Sequence, residues 1–216
     1  MVAVIAIDGP SGSGKSTVAR LVAEKQGWFY LNTGAMYRAV GLYLADNDIP
    51  CDNTEVTDKV LESVDVNFGA DGRILLNSED VSDRILTPEA ARHASDYSKL
   101  SAVRQLMTAL QRKIGLSRPS VVEGRDIGTV VFPDADHKFF IVASPEERAR
   151  RRYIQLKEKD PKTTITIEGI LREQKERDQQ DAERSLAPLK QAKDAILVET
   201  TEKTIDEVVE EILARL

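Results

Sequence analysis

The sequence predicts an α/β fold, a mostly parallel sheet flanked by helices, and three observations predict it. Short, mostly apolar runs at 2–7, 28–31, 120–123, 137–143 and 195–198 read as core strands. Segments of helical period lie between them, the alternation that builds a parallel sheet. The first run opens directly onto Gly9-Pro10-Ser11-Gly12-Ser13-Gly14-Lys15-Ser16, which carries the spacing G-x-x-x-x-G-K-[ST]. Ligands of such sheets bind at the carboxyl ends of the strands, so the site is expected there.

Taken in order, the strand at 2–7 and the glycine loop lead into a helix whose apolar positions are Val18, Leu21 and Val22. Trp28-Phe29-Tyr30-Leu31 is a second strand and Asn32-Thr33-Gly34 a turn. The next helix buries Met36, Ala39, Val40, Tyr43 and Leu44, leaving Arg38 off the stripe; Pro50 closes it, and 54–63 is a short helix. The period then changes. Alternation from Val64 to Phe68, a turn signal at Asp71-Gly72 and a strand over 73–77 predict a small antiparallel hairpin inserted at 64–83. Helix resumes at Pro88, and further on Val103, Leu106, Met107 and Leu110 face a core while Arg104 does not. Strands at 120–123 and 137–143 follow. Ser144-Pro145-Glu146-Glu147 opens a helix with a capping box and proline in its first turn. Residues 157–164 are a loop, a polar helix runs through Gln180, and 195–198 is the last strand. Ile205, Val208, Val209, Ile212, Leu213 and Leu216 stripe the terminal helix.

Composition narrows the function. A chain of 216 residues suits one core domain with an inserted subdomain. Its 36 acidic against 30 basic side chains give a net charge of -6, so no nucleic-acid partner is expected and anionic ligands must be drawn by local arginines. The longest apolar run falls far short of the ~18 residues of a membrane span. No basic stretch precedes it, so no signal peptide or membrane partner is expected and the location is cytoplasmic. The single Cys51 excludes an internal disulfide, and His93 and His137 lie too far apart in sequence to suggest a metal site.

The glycine loop is a phosphate cradle. The loop 9–17, including Thr17, surrounds nucleotide phosphates with its backbone N–H groups, Pro10 alone having none; Lys15 supplies a point charge, and the Ser16 hydroxyl ligates Mg2+. Switches, motors and kinases all use such a loop. A guanine-nucleotide switch would also carry N-K-x-D and D-x-x-G, and neither string occurs. Arginines at 38, 125 and 148–152 lie near strand ends or helix starts, the positions from which they can neutralise a phosphoryl group in transfer. Arg148, Arg150, Arg151 and Arg152 crowd the first turns of a helix, where the dipole favours anions, so a ligand is expected to supply the negative charge. A phosphate acceptor needs no general base, since its second pKa is about 6. A nucleotide-binding regulator without turnover stays open as the alternative from another class.

Four segments carry a resemblance: Asp8 through Lys15, Asn32-Thr33-Gly34-Ala35-Met36-Tyr37-Arg38, Glu123 through Ala135, and Lys175-Glu176-Arg177-Asp178 through Pro188-Leu189. Together they resemble the bacterial cytidylate kinases over essentially the whole chain. The resemblance implies a P-loop nucleoside monophosphate kinase domain over 1–216 acting as a monomer, with a core at about 1–60, 84–150 and 170–216. It also implies a monophosphate-binding insertion at about 61–84, with neighbouring helices to 115, and a helical lid at about 153–166. Magnesium-ATP would be the donor and CMP or dCMP the acceptor. Lys15, Arg38, Arg125, Arg148, Arg151 and Arg152 would act on the phosphates, with Thr33 nearby. Ser95, Arg104, Asp126 and Arg184 would read the cytosine, and Arg177 and Asp181 would hold the sugar. A kinase for another base, or for shikimate, is the runner-up. Asn32 and Thr33 stand where some members have aspartate and serine, and Glu123 where aspartate is common, so no contact is assigned to Glu123.

Overall fold

The computed structural model describes residues 2–52, 59–69 and 72–216. In chain order the elements are β1 (Val4–Asp8), α1 (Lys15–Gln26), β2 (Phe29–Asn32), α2 (Thr33–Asp46), β3 (Val66–Phe68), β4 (Ile74–Leu76), β5 (Glu79–Asp80), α3 (Pro88–Tyr97) and α4 (Ser101–Gly115). They continue with β6 (Ser120–Gly124), β7 (His137–Val142), α5 (Pro145–Lys159), α6 (Ile167–Glu183), β8 (Ile196–Glu199) and α7 (Ile205–Leu213). The chain forms two compact units, Met1–Tyr30 with Arg118–Leu216, and Leu31–Ser117.

In the first unit lies the sheet, in the order β2-β6-β1-β7-β8. β1 pairs in parallel with β6 and with β7, and β7 with β8. As the central strand β1 is buried along its whole length, which explains its unbroken apolar sequence up to Asp8. Ile5, Ile7, Val18, Val22, Phe139, Ile141, Val208 and Ile212 form the core between sheet, α1 and α7. The register sets Asp8 beside Gly124 on one side and Phe140 on the other. The loops that follow β1 and β6 therefore leave the sheet at the same carboxyl edge. At the edge strand β8, Val198 is buried while Leu197 is exposed.

In the second unit α2 packs against a small antiparallel sheet, β3-β4-β5, and against α3 and α4. Met36, Ala39, Val40 and Leu44 are buried on α2, as their spacing predicts, with Val66, Ile74 and Leu76 of the hairpin and Ala90, Ala94, Val103 and Met107 of the helices. Val66 pairs with Leu76 and Phe68 with Ile74, the predicted hairpin; β5 is an addition that two exposed acidic residues did not signal. Asp71 of the turn, and 54–58 of the helix expected over 54–63, lie outside the described residues.

Several boundaries differ from expectation for local reasons. The turn at 32–34 is instead the start of α2, because the Asn32 side chain accepts the Ala35 N–H at 2.9 Å and caps the helix. α5 runs on to Lys159, two residues before Pro161. α6 runs to Glu183. The box at 144–147 forms by half: Ser144 Oγ accepts the Glu147 N–H at 3.2 Å, but the Ser144 N–H goes to Thr201 Oγ1 and the Glu147 carboxylate to arginines. Thr204 and Glu207 make the complete capping box, at α7. Leu106 and Leu110 are only half-buried, and Arg104, expected off the core face, is buried, its guanidinium carbon 5.6 Å from the Tyr37 ring centroid. The aromatic face takes the place of solvent.

Candidate functional site

The loop 9–14 joins the buried strand β1 to α1. Gly14 caps α1 in a left-handed conformation and offers no side-chain oxygen, whereas Asn32, Thr87, Ser144, Thr166 and Thr204 cap α2, α3, α5, α6 and α7. The first N–H groups of α1 are thus left for a ligand, at the positive end of the helix dipole. Lys15 is buried, and its ammonium donates to the Pro10 carbonyl at 3.1 Å. Burial first, then the neighbouring Arg125, push its pKa down to about 7. Ser13 Oγ is buried with no partner among the described residues, a donor suited to an anionic oxygen.

Exposed Ser16 donates to Glu123 Oε1 at 2.8 Å, and the Tyr30 hydroxyl donates to the same oxygen at 3.2 Å. Burial, with Glu123 alongside, pushes the Tyr30 phenol well above its usual range and keeps it a donor. Beneath the loop, Asp8 Oδ1 and Oδ2 accept the N–H groups of Ile127 and Gly128, each at 2.8 Å. Burial outweighs these bonds and pushes the Asp8 pKa up to about 7. Between the unfolded value of 3.8 and about 7 the folded chain holds a proton the unfolded chain has lost, so this group costs stability progressively across that window. Asp8→Asn is therefore expected to destabilise more at pH 4 than at pH 8, in urea unfolding of both proteins; a gap that widens with pH would contradict the assignment.

Beyond β6, Arg125, Asp126, Asp181 and Arg184 come together. Arg125 Nε donates to Asp181 Oδ2 at 2.9 Å and its Nη1 to the Gly9 carbonyl at 2.7 Å. Arg184 stands 3.4 Å from Asp181 and 3.6 Å from Asp126. Burial raises the Asp181 carboxyl, but Arg125, Arg184 and Arg177 together hold it below its usual range. Arg177 is half-buried and also acts on Lys15. Asp181 thus sits in a mostly buried network, not in a solvated helical pair.

The arginines of α5 divide. Arg148 is buried, with Nε on the Ala143 carbonyl at 3.2 Å and Nη1 on the Ser11 carbonyl at 2.7 Å and Asp178 at 2.5 Å. Glu147 pairs with exposed Arg150 and with Arg151, and their hydrogen bonds, Arg150 first, hold its carboxyl at about 2 against burial. Arg151 also donates to the Thr200 carbonyl at 2.5 Å, while Thr200 Oγ1 lies 3.3 Å from the Ser13 carbonyl. Arg152 is exposed. Part of the negative charge expected from a ligand is thus supplied by Glu147 and Asp178.

In the unit Leu31–Ser117, Thr33 is buried at the first position of α2 and Arg38 is half-buried, its Nη1 3.5 Å from the Ile85 carbonyl. Ser95 lies half-buried on α3, and Arg104 on α4 packs over Tyr37 as described.

A model of the cytidylate kinase family matches residues 5–216. The chain belongs to the cytidylate kinase family. It is 52% identical over 209 residues to the cytidylate kinase of Thermosipho melanesiensis, covering 97% of this chain and 94% of that one. To the cytidylate kinase of Clostridioides difficile it is 46% identical over 215 residues, 99% and 97% of the two chains. Among solved structures, shikimate kinase from Bacteroides thetaiotaomicron shares the fold with a TM-score of 0.51 at 11% identity, covering 99% of both chains. A gluconokinase from Sinorhizobium meliloti does so at 0.50 and 16%, covering 98% of this chain and 90% of that one.

For this cytidylate kinase family member, sequence reasoning missed Tyr30, Glu123, Asp178 and Thr200. Glu123 was expected to make no assigned contact, yet its longer side chain reaches Ser16. Tyr30, inside β2, and Thr200, directly after β8, had no signal in the sequence, and Asp178 had one: it directly follows Arg177 in the motif. Among the described residues no group of three or more His, Cys, Asp or Glu side chains forms a metal site, and no helix is long and apolar enough to cross a membrane.

Proposed function

We propose that the chain transfers the γ-phosphoryl group of ATP to CMP or dCMP, giving ADP and CDP or dCDP. The observation that carries this reading is the hydrogen bond from Arg125 to Gly9, which ties the carboxylate–arginine cluster to the phosphate cradle. Residues 9–17 hold the ATP phosphates, and Lys15, buried and electrostatically costly as a cation, is stabilised by the anion it meets. Arg125 and Arg38 hold the acceptor phosphate, with Thr33 nearby. Asp126, Arg184, Arg104 and Ser95 read the base: cytosine presents an amino donor beside N3 and O2 acceptors, which a carboxylate, guanidinium groups and a hydroxyl complement. Asp181 and Arg177 take the sugar. Closure of the lid, about 153–166, brings Arg151 and Arg152, which precede it on α5, onto the phosphates and excludes water from the transfer. The domain spans 1–216, with an insertion near 61–84, and works as a cytoplasmic monomer in pyrimidine nucleotide metabolism.

Magnesium fits the donors present. The Ser16 hydroxyl and the Glu123 carboxylate, 2.8 Å apart, are hard oxygen ligands of the kind this ion takes. When bound it neutralises charge on the phosphates. Tyr30 orients Glu123 toward Ser16.

The test is ADP production from magnesium-ATP with CMP, dCMP, UMP, dTMP, AMP or shikimate, each against a no-acceptor control. CMP and dCMP are expected to turn over fast. UMP, which presents a carbonyl where Asp126 awaits a donor, is expected to be slower by up to about 10⁴-fold. Faster turnover of another acceptor would overturn the cytosine assignment, and silence throughout would overturn the kinase.

A further inference from the structure

One face of α6 is directed at the phosphate loop. Gln174, Asp178 and Asp181 lie three and four residues apart, hence on adjacent turns of the same face. Asp181 reaches Gly9 through Arg125. Gln174 is buried against Gly12, where an added Cβ would stand 2.8 Å from its Nε2. Asp178 does something the other two do not: it closes a ring on a single residue of the loop. The Ser11 N–H donates to Asp178 Oδ1 at 3.2 Å. Asp178 Oδ2 receives Arg148 Nη1 at 2.5 Å, and the same nitrogen donates to the Ser11 carbonyl at 2.7 Å. Both backbone polar groups of Ser11 are held by one ion pair contributed from 137 and 167 residues away.

We propose that Asp178 is a positioning residue for phosphoryl transfer: with Arg148 as its strut, it fixes the outer limb of the phosphate loop in the ATP-binding shape. This rests on the ATP-dependent reading above. A carboxylate and a guanidinium with side chains 19% and 5% exposed carry a desolvation cost, met here only because Ala143, Ser11 and the pair itself satisfy their polar atoms. A solvated helical pair would bear no such cost and hold no loop. The proposal also changes the place of Arg148. Three of its hydrogen bonds go to protein atoms, so its part is to brace the loop rather than to meet the phosphoryl group. A loop ordered before ATP arrives spares binding the entropy of ordering it, and geometry lost at the loop is felt by the γ-phosphoryl group more than by the acceptor.

The experiment compares wild type, Asp178→Ala, Asp178→Asn and Arg148→Lys by steady-state kinetics, by calorimetric ATP binding and by circular dichroism. Asp178→Ala is expected to raise both KM and Kd for ATP about tenfold or more and to lower kcat, with KM for CMP unchanged within twofold. Asp178→Asn keeps an acceptor for Ser11 and is expected to fall between. Arg148→Lys cannot reach Ala143, Ser11 and Asp178 at once and is expected to show the same split. Should the alanine variant fail to fold, the asparagine variant decides. A folded variant with wild-type ATP constants overturns the proposal, as does an equal loss for ATP and CMP, the mark of a merely structural residue. Wild-type protein without acceptor-dependent turnover would strike the kinase reading instead, and calorimetry with ATP would still test the loop.

Discussion

Lys15→Met is expected to lower kcat for CMP phosphorylation on the order of a thousandfold while leaving the fold intact. The side chain is buried, and its ammonium donates to the Pro10 carbonyl at the mouth of the loop. Burial and Arg125 already work against its charge, so a phosphate that meets it restores what folding took away, and most strongly where negative charge is greatest. Methionine matches the length of the stem and removes the charge together with its hydrogen bond to Pro10. Because the ammonium is a cost to the empty protein, the melting temperature of the variant is expected to be equal to or above that of wild type. A folded variant within tenfold of wild-type turnover would remove Lys15 from the chemistry.

Gly9→Ala is expected to damage both stability and ATP-dependent turnover. A Cβ at Gly9 would come 2.1 Å from the Ile141 carbonyl oxygen, and the backbone there has φ +154, which L residues rarely adopt. That carbonyl belongs to β7, a core strand paired on both sides, so the glycine end of the loop must move instead. Its own carbonyl would then slip from Arg125. Overpacking of this kind costs about 1–3 kcal/mol, and the displaced loop should cost on the order of a hundredfold in kcat/KM for ATP. Gly27→Ala is the matched control. It also has positive φ, but an added Cβ meets nothing within 4 Å, so about 1 kcal/mol of stability with unchanged kinetics is expected. Thermal melts and initial rates of the two variants separate the effects, and equal kinetics in both would show that the Ile141 contact yields.

What could be read from sequence was local or periodic. The loop 9–16, the apolar strands and the stripe of α2 state themselves within a dozen residues, and the change of period after Val64 marks the antiparallel hairpin. What could not be read depends on partners distant along the chain. Arg104 breaks the apolar stripe of α4, and its burial is met by partners such as the Tyr37 ring and the Ser98 carbonyl, which the stripe does not announce. Arg148 reads as one basic residue among four until the fold brings Ser11 and Asp178 to it. Glu147 obeys the spacing of a capping box, yet two arginines outcompete the backbone N–H for its carboxylate. Spacing shows which groups are available to an interaction; the fold decides which interaction they make.

The central place of β1 has a consequence for synthesis. Its partners begin at Ser120 and His137, so the strand Val4–Asp8 leaves the ribosome more than a hundred residues before either neighbour exists. At ~5–20 residues per second that interval is on the order of ten seconds, during which an apolar strand has no sheet to join. The growing chain is thus exposed to aggregation through an element that is buried along its whole length in the finished protein, and chaperone capture of nascent chains should concentrate on this segment.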